Sequence, residues 1–174
     1  MTTVDHAEYA FTFGMDDAEI TRHLESETSG VLALADGDDA YAVPLAFVHR
    51  DGMLYFRLGI EADSRKMAYI ERTDDACFVC YGTEGEESWS VIAEGPIEAA
   101  SPSERSDFDE TAINDRYPPL RVFDEELGDL DLDLYVLRPE RTTGRRTAEA
   151  PDGQSDAGSV VDTGSDAGPP SRED

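Results

Sequence analysis

The sequence predicts a mainly β domain: six strands, mostly antiparallel, forming a small barrel with helices on its rim. Three observations lead there. Apolar residues fall in short, strand-length blocks. Turn signals separate the early blocks, at Asp36-Gly37-Asp38-Asp39 and Asp51-Gly52, and the links are too short for the crossovers that parallel strands need. Helical periodicity is confined to brief stretches, so the βαβ alternation of a dinucleotide fold is missing, as are GxGxxG, P-loop and HExxH motifs.

In chain order, Asp16 with Glu19 three residues on makes a capping pair for a first helix, in which Ile20 and Leu24 share a face. Gly30 opens the β region. Val31 to Ala35 is a strand, the acidic turn follows, and Ala40 to Arg50 is a second strand, returned by Asp51-Gly52 into Met53 to Leu58. Ser64 to Arg72 reads as a short helix with Met67 and Ile70 inward. Ala76 to Tyr81 and Ser88 to Ala100 are further strands, with Gly95-Pro96 marking a bulge or an edge. Ser103 caps an acidic helix running to about Ile113. Leu130 to Leu137 is the last strand, alternating Leu130, Leu132, Leu134 and Val136 with Asp131, Asp133 and Tyr135.

The 174 residues carry 40 acids against 14 bases, a net charge of −26. That length suits one domain, and that charge excludes a general nucleic-acid backbone binder, whose affinity rests on clustered Lys and Arg. It also argues against an anionic membrane surface as partner. No run approaches the ~18 apolar residues of a spanning helix, and MTTVDHAEYA lacks a basic stretch followed by an apolar one, so a soluble cytoplasmic protein is expected. Residues 148–174 contain no aromatic, Leu, Ile or Met, and read as a disordered acidic tail behind a domain of residues 1–147. The tail contributes only −6, so the acidity belongs to the folded domain. Thirteen of the bases are Arg and Lys66 is the one lysine. Excess carboxylate with almost no lysine is the composition expected of a halophile's protein.

The candidate site follows the third strand. Phe56, Arg57 and Leu58 end that strand, and Asp63-Ser64-Arg65-Lys66 begins a helix. Free N–H groups at a helix start, a hydroxyl, a planar guanidinium and a point charge together suit a phosphate. In ~1 M salt charges are screened within about 3 Å, so an acidic phosphate binder must hold its few cations at contact distance. The plainer reading has Arg65 and Lys66 facing solvent and pairing with Glu61 or Asp63; the avoidance of lysine everywhere else weighs against it. The spacing itself names no ligand. Cys77 and Cys80 spell CxxC, but i and i+3 of a strand point to opposite faces, so both are expected to be reduced and structural. His49 reads as a solvent-facing hairpin residue, His6 and His23 have no metal-ligand cluster around them, and Asp107, Asp109 and Glu110 read as a solvated face.

Taken in order, GVLALA, AYAVPLAFVHRDG, MLYFRLG, SRK at a helix start, ACFVCYG, WSVIAEGPIEAAS and LYVLRPERTTGRR resemble the pyridoxamine 5′-phosphate oxidase-like proteins. The last segment is similar to the nitroimidazole-resistance-type branch. The resemblance covers roughly Asp16 to Arg146. It implies a six-stranded antiparallel FMN-binding split β-barrel and a homodimer holding two FMN molecules in clefts between subunits. Matched residue by residue, it implies that Ser64, Arg65 and Lys66 bind the FMN phosphate and that the backbone of Val43, Pro44 and Leu45 passes along the flavin ring. Phe56 and Arg57 match the pair at the end of the third strand, and Ser90 stands in place of a flavin-contacting glutamine. Trp89 beside it faces the cleft, the core or a dimer interface.

Tyr41 and Ala46 stand where true pyridoxamine phosphate oxidases have arginine and lysine, and no C-terminal tryptophan and arginine motif follows. Pyridoxal phosphate synthesis is therefore not implied. The resemblance implies an FMN-dependent oxidoreductase of unknown substrate, without a dedicated acid or base. A non-catalytic flavin carrier or sensor, or a split barrel for the deazaflavin coenzyme or haem, fits the same residues. A third reading is an acidic interaction protein with no ligand.

Overall fold

Three tight hairpins build the framework, each turning on residues with positive φ. In the computed structural model, which describes residues 10–60, 64–108, 117 and 131–148, β2 (Ser29–Asp36) returns into β3 (Asp39–Ala46) at Gly37. β4 (Val48–Arg50) returns into β5 (Met53–Gly59) at Asp51 and Gly52, with φ of 51° and 78°, the left-handed pair that a two-residue hairpin requires. β6 (Ala76–Glu84) returns into β7 (Glu87–Gly95) at Gly85. The other elements are β1 (Phe11–Gly14), α1 (Asp17–Ser26), α2 (Arg65–Ile70), β8 (Ile97–Ala99), α3 (Pro102–Asp107), β9 (Leu132–Leu137) and β10 (Arg141–Ala148).

The strands form two antiparallel sheets, one ordered β1-β10-β7-β6-β2-β3 and the other β4-β5-β9-β8. No strand pairing joins the sheets among the described residues, so the barrel is split and not closed. The expected class, a mainly antiparallel split barrel with few helices, is the one found. The number of strands differs from the six expected, for three reasons. The segment 40–50 breaks at Phe47, which leaves the first sheet to bury its ring 4.7 Å from Phe78 and bonds its N–H to the Thr28 carbonyl. The segment 88–100 divides at Pro96, which has no N–H to give a ladder. β1 and β10 were not expected at all.

Helix boundaries also shift. α1 begins as expected, with Glu19 N–H donating to Asp16 at 2.8 Å and Asp16 N–H donating back to Glu19 at 3.0 Å. α3 is capped by Ser101, not Ser103, with Pro102 at its first position and Glu104 closing the capping box. It stops at Asp107, because Phe108 turns out of helical geometry to bury its ring against Tyr55. Residues 109–113 of the expected helix, Leu130, and the expected tail beyond Ala148 lie outside the described residues; β10 itself runs through Ala148.

The main core lies between the sheets. Leu32, Leu34, Phe78, Cys80, Val91 and Ala93 meet Leu54, Phe56, Leu58 and Leu137 there, sealed by α1 and α2. A second cluster, Val48, Tyr55, Leu134, Val136, Phe108 and Tyr117, covers the other face of the small sheet. Among the described residues the large sheet has no such second layer. On its outer face the register aligns Pro44, Val31, Val79 and Ile92 in one row, and Ala42, Ala33 and Cys77 in the next, which Glu94 and Arg141 continue. None of the seven apolar residues joins either core cluster.

Candidate phosphate site

α2 and β3 together build the site. Ser64 is the residue before α2, with extended geometry, and its hydroxyl makes no capping hydrogen bond. α2 is only six residues long, so its dipole adds little, and the groups gathered at this turn are the Ser64 hydroxyl and the Arg65 and Lys66 cations. Arg65 is exposed, and its guanidinium lies 4.9 Å from the Tyr41 ring centroid and 5.4 Å from that of Tyr69. Tyr69 stands four residues on along α2, and Tyr41 points from β3 toward the core side of the sheet, so the two rings hold the fork between helix and strand. Tyr69, ahead of Tyr41 and Asp39, holds Arg65 above even its usual range, which keeps it charged at any working pH. Lys66 follows, half-buried.

The other arginines show why Arg65 stands out. Arg22, Arg50, Arg72, Arg105, Arg138, Arg141 and Arg146 each form an ion pair with a carboxylate, whereas exposed Arg145 shows none among the described residues but has no ring stacked on it either. Among the described residues no carboxylate forms an ion pair with Arg65, in a chain of 40 acids. Its partners are two aromatic faces, which orient a guanidinium without neutralising it.

The other expected site residues are dispersed. Val43 and Leu45 point inward, half-buried against the core, while Pro44 points to the exposed outer face. β3 is an edge strand, paired only with β2 among the described residues, so its outer backbone groups stay open, and Pro44 suits such an edge. Phe56 is fully buried beside Phe78 at 5.4 Å. Arg57 leaves the opposite face of β5, its guanidinium 5.2 Å from the Tyr117 ring centroid. Tyr117, whose hydroxyl donates to the Tyr55 carbonyl at 2.7 Å and whose pKa burial pushes up, had no signal in the sequence. Ser90 sits on the outer face of β7, beside Tyr81 and Arg145. Three strand spacings, about 14 Å, separate β7 from β3, so within one chain Ser90 does not share a site with the β3 backbone.

Trp89 resolves to the core side, 6% exposed and stacked on His23. Cys80 is buried, and burial pushes its thiol up to about 12; Cys77 faces the other way, also raised by burial, and both are free. His49 is not the solvent-facing residue expected: it is half-buried, its Nδ1 is shielded, and burial lowers its pKa. An open concavity of about 640 Å³ lies elsewhere, along α1 between Asp17, Thr21, Arg22 and Glu25. It carries two acids and has no connection to Ser64–Lys66. Among the described residues no helix is long and apolar enough to cross a membrane.

With the geometry in hand, the relatives become informative. A family model described as pyridoxamine 5′-phosphate oxidase matches residues 16–146. A Corynebacterium glutamicum structure proposed as a pyridoxamine 5′-phosphate oxidase superposes with a TM-score of 0.63 at 18% identity, covering 84% of this chain and 100% of its own. A Mesorhizobium loti FAD-binding protein also gives 0.63, at 19% identity over 79% of this chain and 99% of its own. A Bacteroides thetaiotaomicron protein proposed for 5-nitroimidazole antibiotic resistance gives 0.58, at 17% identity over 85% and 100%. At these identities the structures show the shared fold. No curated protein matches the sequence. The family match spans β2 to β9, the Ser64-Arg65-Lys66 turn and most of β10, and on that ground the chain belongs to the pyridoxamine 5′-phosphate oxidase-like family.

Proposed function

We propose that this chain is an FMN-binding protein that works as a homodimer and passes electrons between its flavin and a small substrate. The observation that carries the reading is Arg65, held between Tyr41 and Tyr69 and left unneutralised beside the uncommitted hydroxyl of Ser64. A charged fork, a hydroxyl and the ammonium of Lys66 form a donor set that suits a phosphate ester. Flavin bound there would supply the redox chemistry. The chain's part is to anchor the phosphate, to offer the open backbone edge of β3 at Val43, Pro44 and Leu45, and to exclude water with apolar surface.

The homodimer follows from the same reading. Ser90 and the β3 edge are too far apart to touch one ring within a chain, so Ser90 serves a flavin only from a second copy. On the outer face of the large sheet, the apolar row Pro44, Val31, Val79 and Ile92 is where two such domains meet, beside the Glu94–Arg141 pair and Arg145. In this reading the acidity itself adapts the protein to concentrated salt in the cytoplasm.

The test is the absorption spectrum and released ligand of protein purified in high salt, with ligand mass separating FMN from FAD. An Arg65→Ala, Lys66→Ala double variant should bind FMN at least ~100-fold more weakly, since it removes two charge-assisted contacts. Unchanged FMN affinity would overturn the phosphate site. A deazaflavin or a haem spectrum would overturn the flavin, and bound FMN inert to NADH and NADPH would leave a carrier in place of an oxidoreductase.

A further inference from the structure

We propose that the contact between α1 and the β6–β7 hairpin is a pH-sensitive latch whose moving part is His23. The ring is 2% exposed and stacks on Trp89 with centroids 4.0 Å apart and planes 25° apart. Its Nε2 lies 3.2 Å from a guanidinium nitrogen of Arg22. Arginine only donates hydrogen bonds, so Nε2 must be the bare, accepting nitrogen, and the ring proton sits on Nδ1. Nδ1 makes no hydrogen bond; the nearest carboxylate oxygen, of Glu84 on β6, is 3.9 Å away. Arg22 spans the same junction, bonding Glu84 at 3.2 Å. Neutral His23 thus ties the helix to the hairpin directly, by its face on Trp89, and indirectly, by an edge that holds its α1 neighbour Arg22 where that guanidinium bonds Glu84.

Protonation at Nε2 breaks the contact that positions Arg22 against Glu84, because two donors and two positive charges then face each other. The surrounding charges do not reverse this. α1 and its cap present Arg22, Glu19 and Glu27; β6 presents Glu84; β7 presents the Trp89 ring. β10 presents Arg146, which bonds Glu19 at 3.1 Å. β4 presents His49, beside Glu25, and Arg50, which pairs with Asp51. Burial, reinforced by Arg22, outweighs Glu84, Glu27 and Glu19, and holds His23 below its ordinary 6.5. The unfolded or undocked helix binds the proton more readily than the docked one. Docking is therefore strongest above pH 6.5, weakens as pH falls below it, and levels off under the docked pKa. The population undocked rises about tenfold for each unit separating the two pKa values.

Trp89 is the single tryptophan, so its emission reports the stack directly. Trp89 fluorescence and amide protection factors should be followed from pH 7.5 to 5. In wild type, α1 protection should fall and Trp89 emission change with a midpoint below 6.5, while β2 and β6 stay protected. His23→Gln retains an acceptor for Arg22 but cannot titrate, and should abolish both changes. Flat profiles in wild type, or the same profiles in His23→Gln, overturn the latch. Should that variant not fold, nitrogen NMR of wild-type His23 decides: a proton on Nδ1 and a midpoint below 6.5 support the latch. A proton on Nε2, or titration at or above 6.5, overturns it.

Discussion

Replacing Gly95 by alanine tests how the two sheets are joined. Gly95 is the buried last residue of β7, just before Pro96 turns the chain toward β8. A Cβ there would lie 2.2 Å from the Arg138 carbonyl oxygen and 3.0 Å from the Glu140 nitrogen. A carbon and an oxygen approach to about 3.3 Å at closest, so the backbone must part by about 1 Å. The segment pushed is the link from β9 in the small sheet to β10 in the large one. It is fastened by Arg138 N–H to the Pro96 carbonyl at 3.0 Å and Glu140 N–H to the Glu94 carbonyl at 2.8 Å. Overpacking costs about 1–3 kcal/mol, and each of the two strained bonds about 1 kcal/mol more, so Gly95→Ala should destabilise by about 3–5 kcal/mol. For a domain of this size that lowers Tm by about 10 °C, read by circular dichroism at fixed salt. Gly14→Ala is the matched control: its Cβ meets nothing within 4 Å, and Tm should move by less than about 2 °C. Equal Tm values for the two variants would refute the account of the junction.

Glu104 accepts from the Ser101 N–H at 2.8 Å, the Ser101 hydroxyl at 2.7 Å and Arg138 at 2.9 Å, and these hold its carboxyl at about 2, below the ordinary 4.5. Its contribution is complete above pH 4.5 and is lost as pH falls from there toward 2, so Glu104→Gln should flatten the acid limb of a Tm–pH curve; an unaltered slope would sink the assignment. With its thiol near 12, Cys80 is thiolate in only about one molecule in ten thousand at pH 8. Iodoacetamide followed by peptide mass mapping should label Cys77 first; equal rates in native protein would show that Cys80 is not sealed in the core.

How much of this could be read from the sequence depended on what each residue packs against. β2, β5 and β6 show themselves through Leu32, Leu34, Leu54, Phe56, Phe78 and Cys80, which alternate because one face is buried. β10 shows nothing of the kind. Its core-facing positions include Gly144, where a Cβ would sit 2.7 Å from Ile20 and 2.8 Å from Met15, so the packing demands a gap where a strand pattern needs a side chain. β1 is exposed along its whole length and has no core face to betray it. The Ser101 cap was readable, since Ser-Pro-Ser-Glu places Pro at the first helical position and Glu at the third, and a second serine inside the motif drew the assignment away. Ser64-Arg65-Lys66 stood out by composition alone. Tyr41 and Tyr69 did not, because what sets them apart is a contact between β3 and α2 that is fixed only once both pack on Leu34 and its neighbours.

The arginines decide what the net charge means. Spread evenly, −26 would be a uniform repulsion working against any compact state. The structure instead ties arginines to carboxylates where distant parts of the chain meet: Arg146 joins β10 to α1, Arg138 joins the end of β9 to β8 and α3, Arg72 joins the end of α2 to β2. The first three of these contacts are 3.1, 2.7 and 2.9 Å long, direct contacts with no room for a screening ion between the partners, so salt weakens the background repulsion more than the pairs. Arg65 joins α2 to β3 differently, through cation–π contact with the Tyr69 and Tyr41 rings. That contact orients the guanidinium without an ion-paired carboxylate among the described residues, which is the feature the proposed phosphate site rests on.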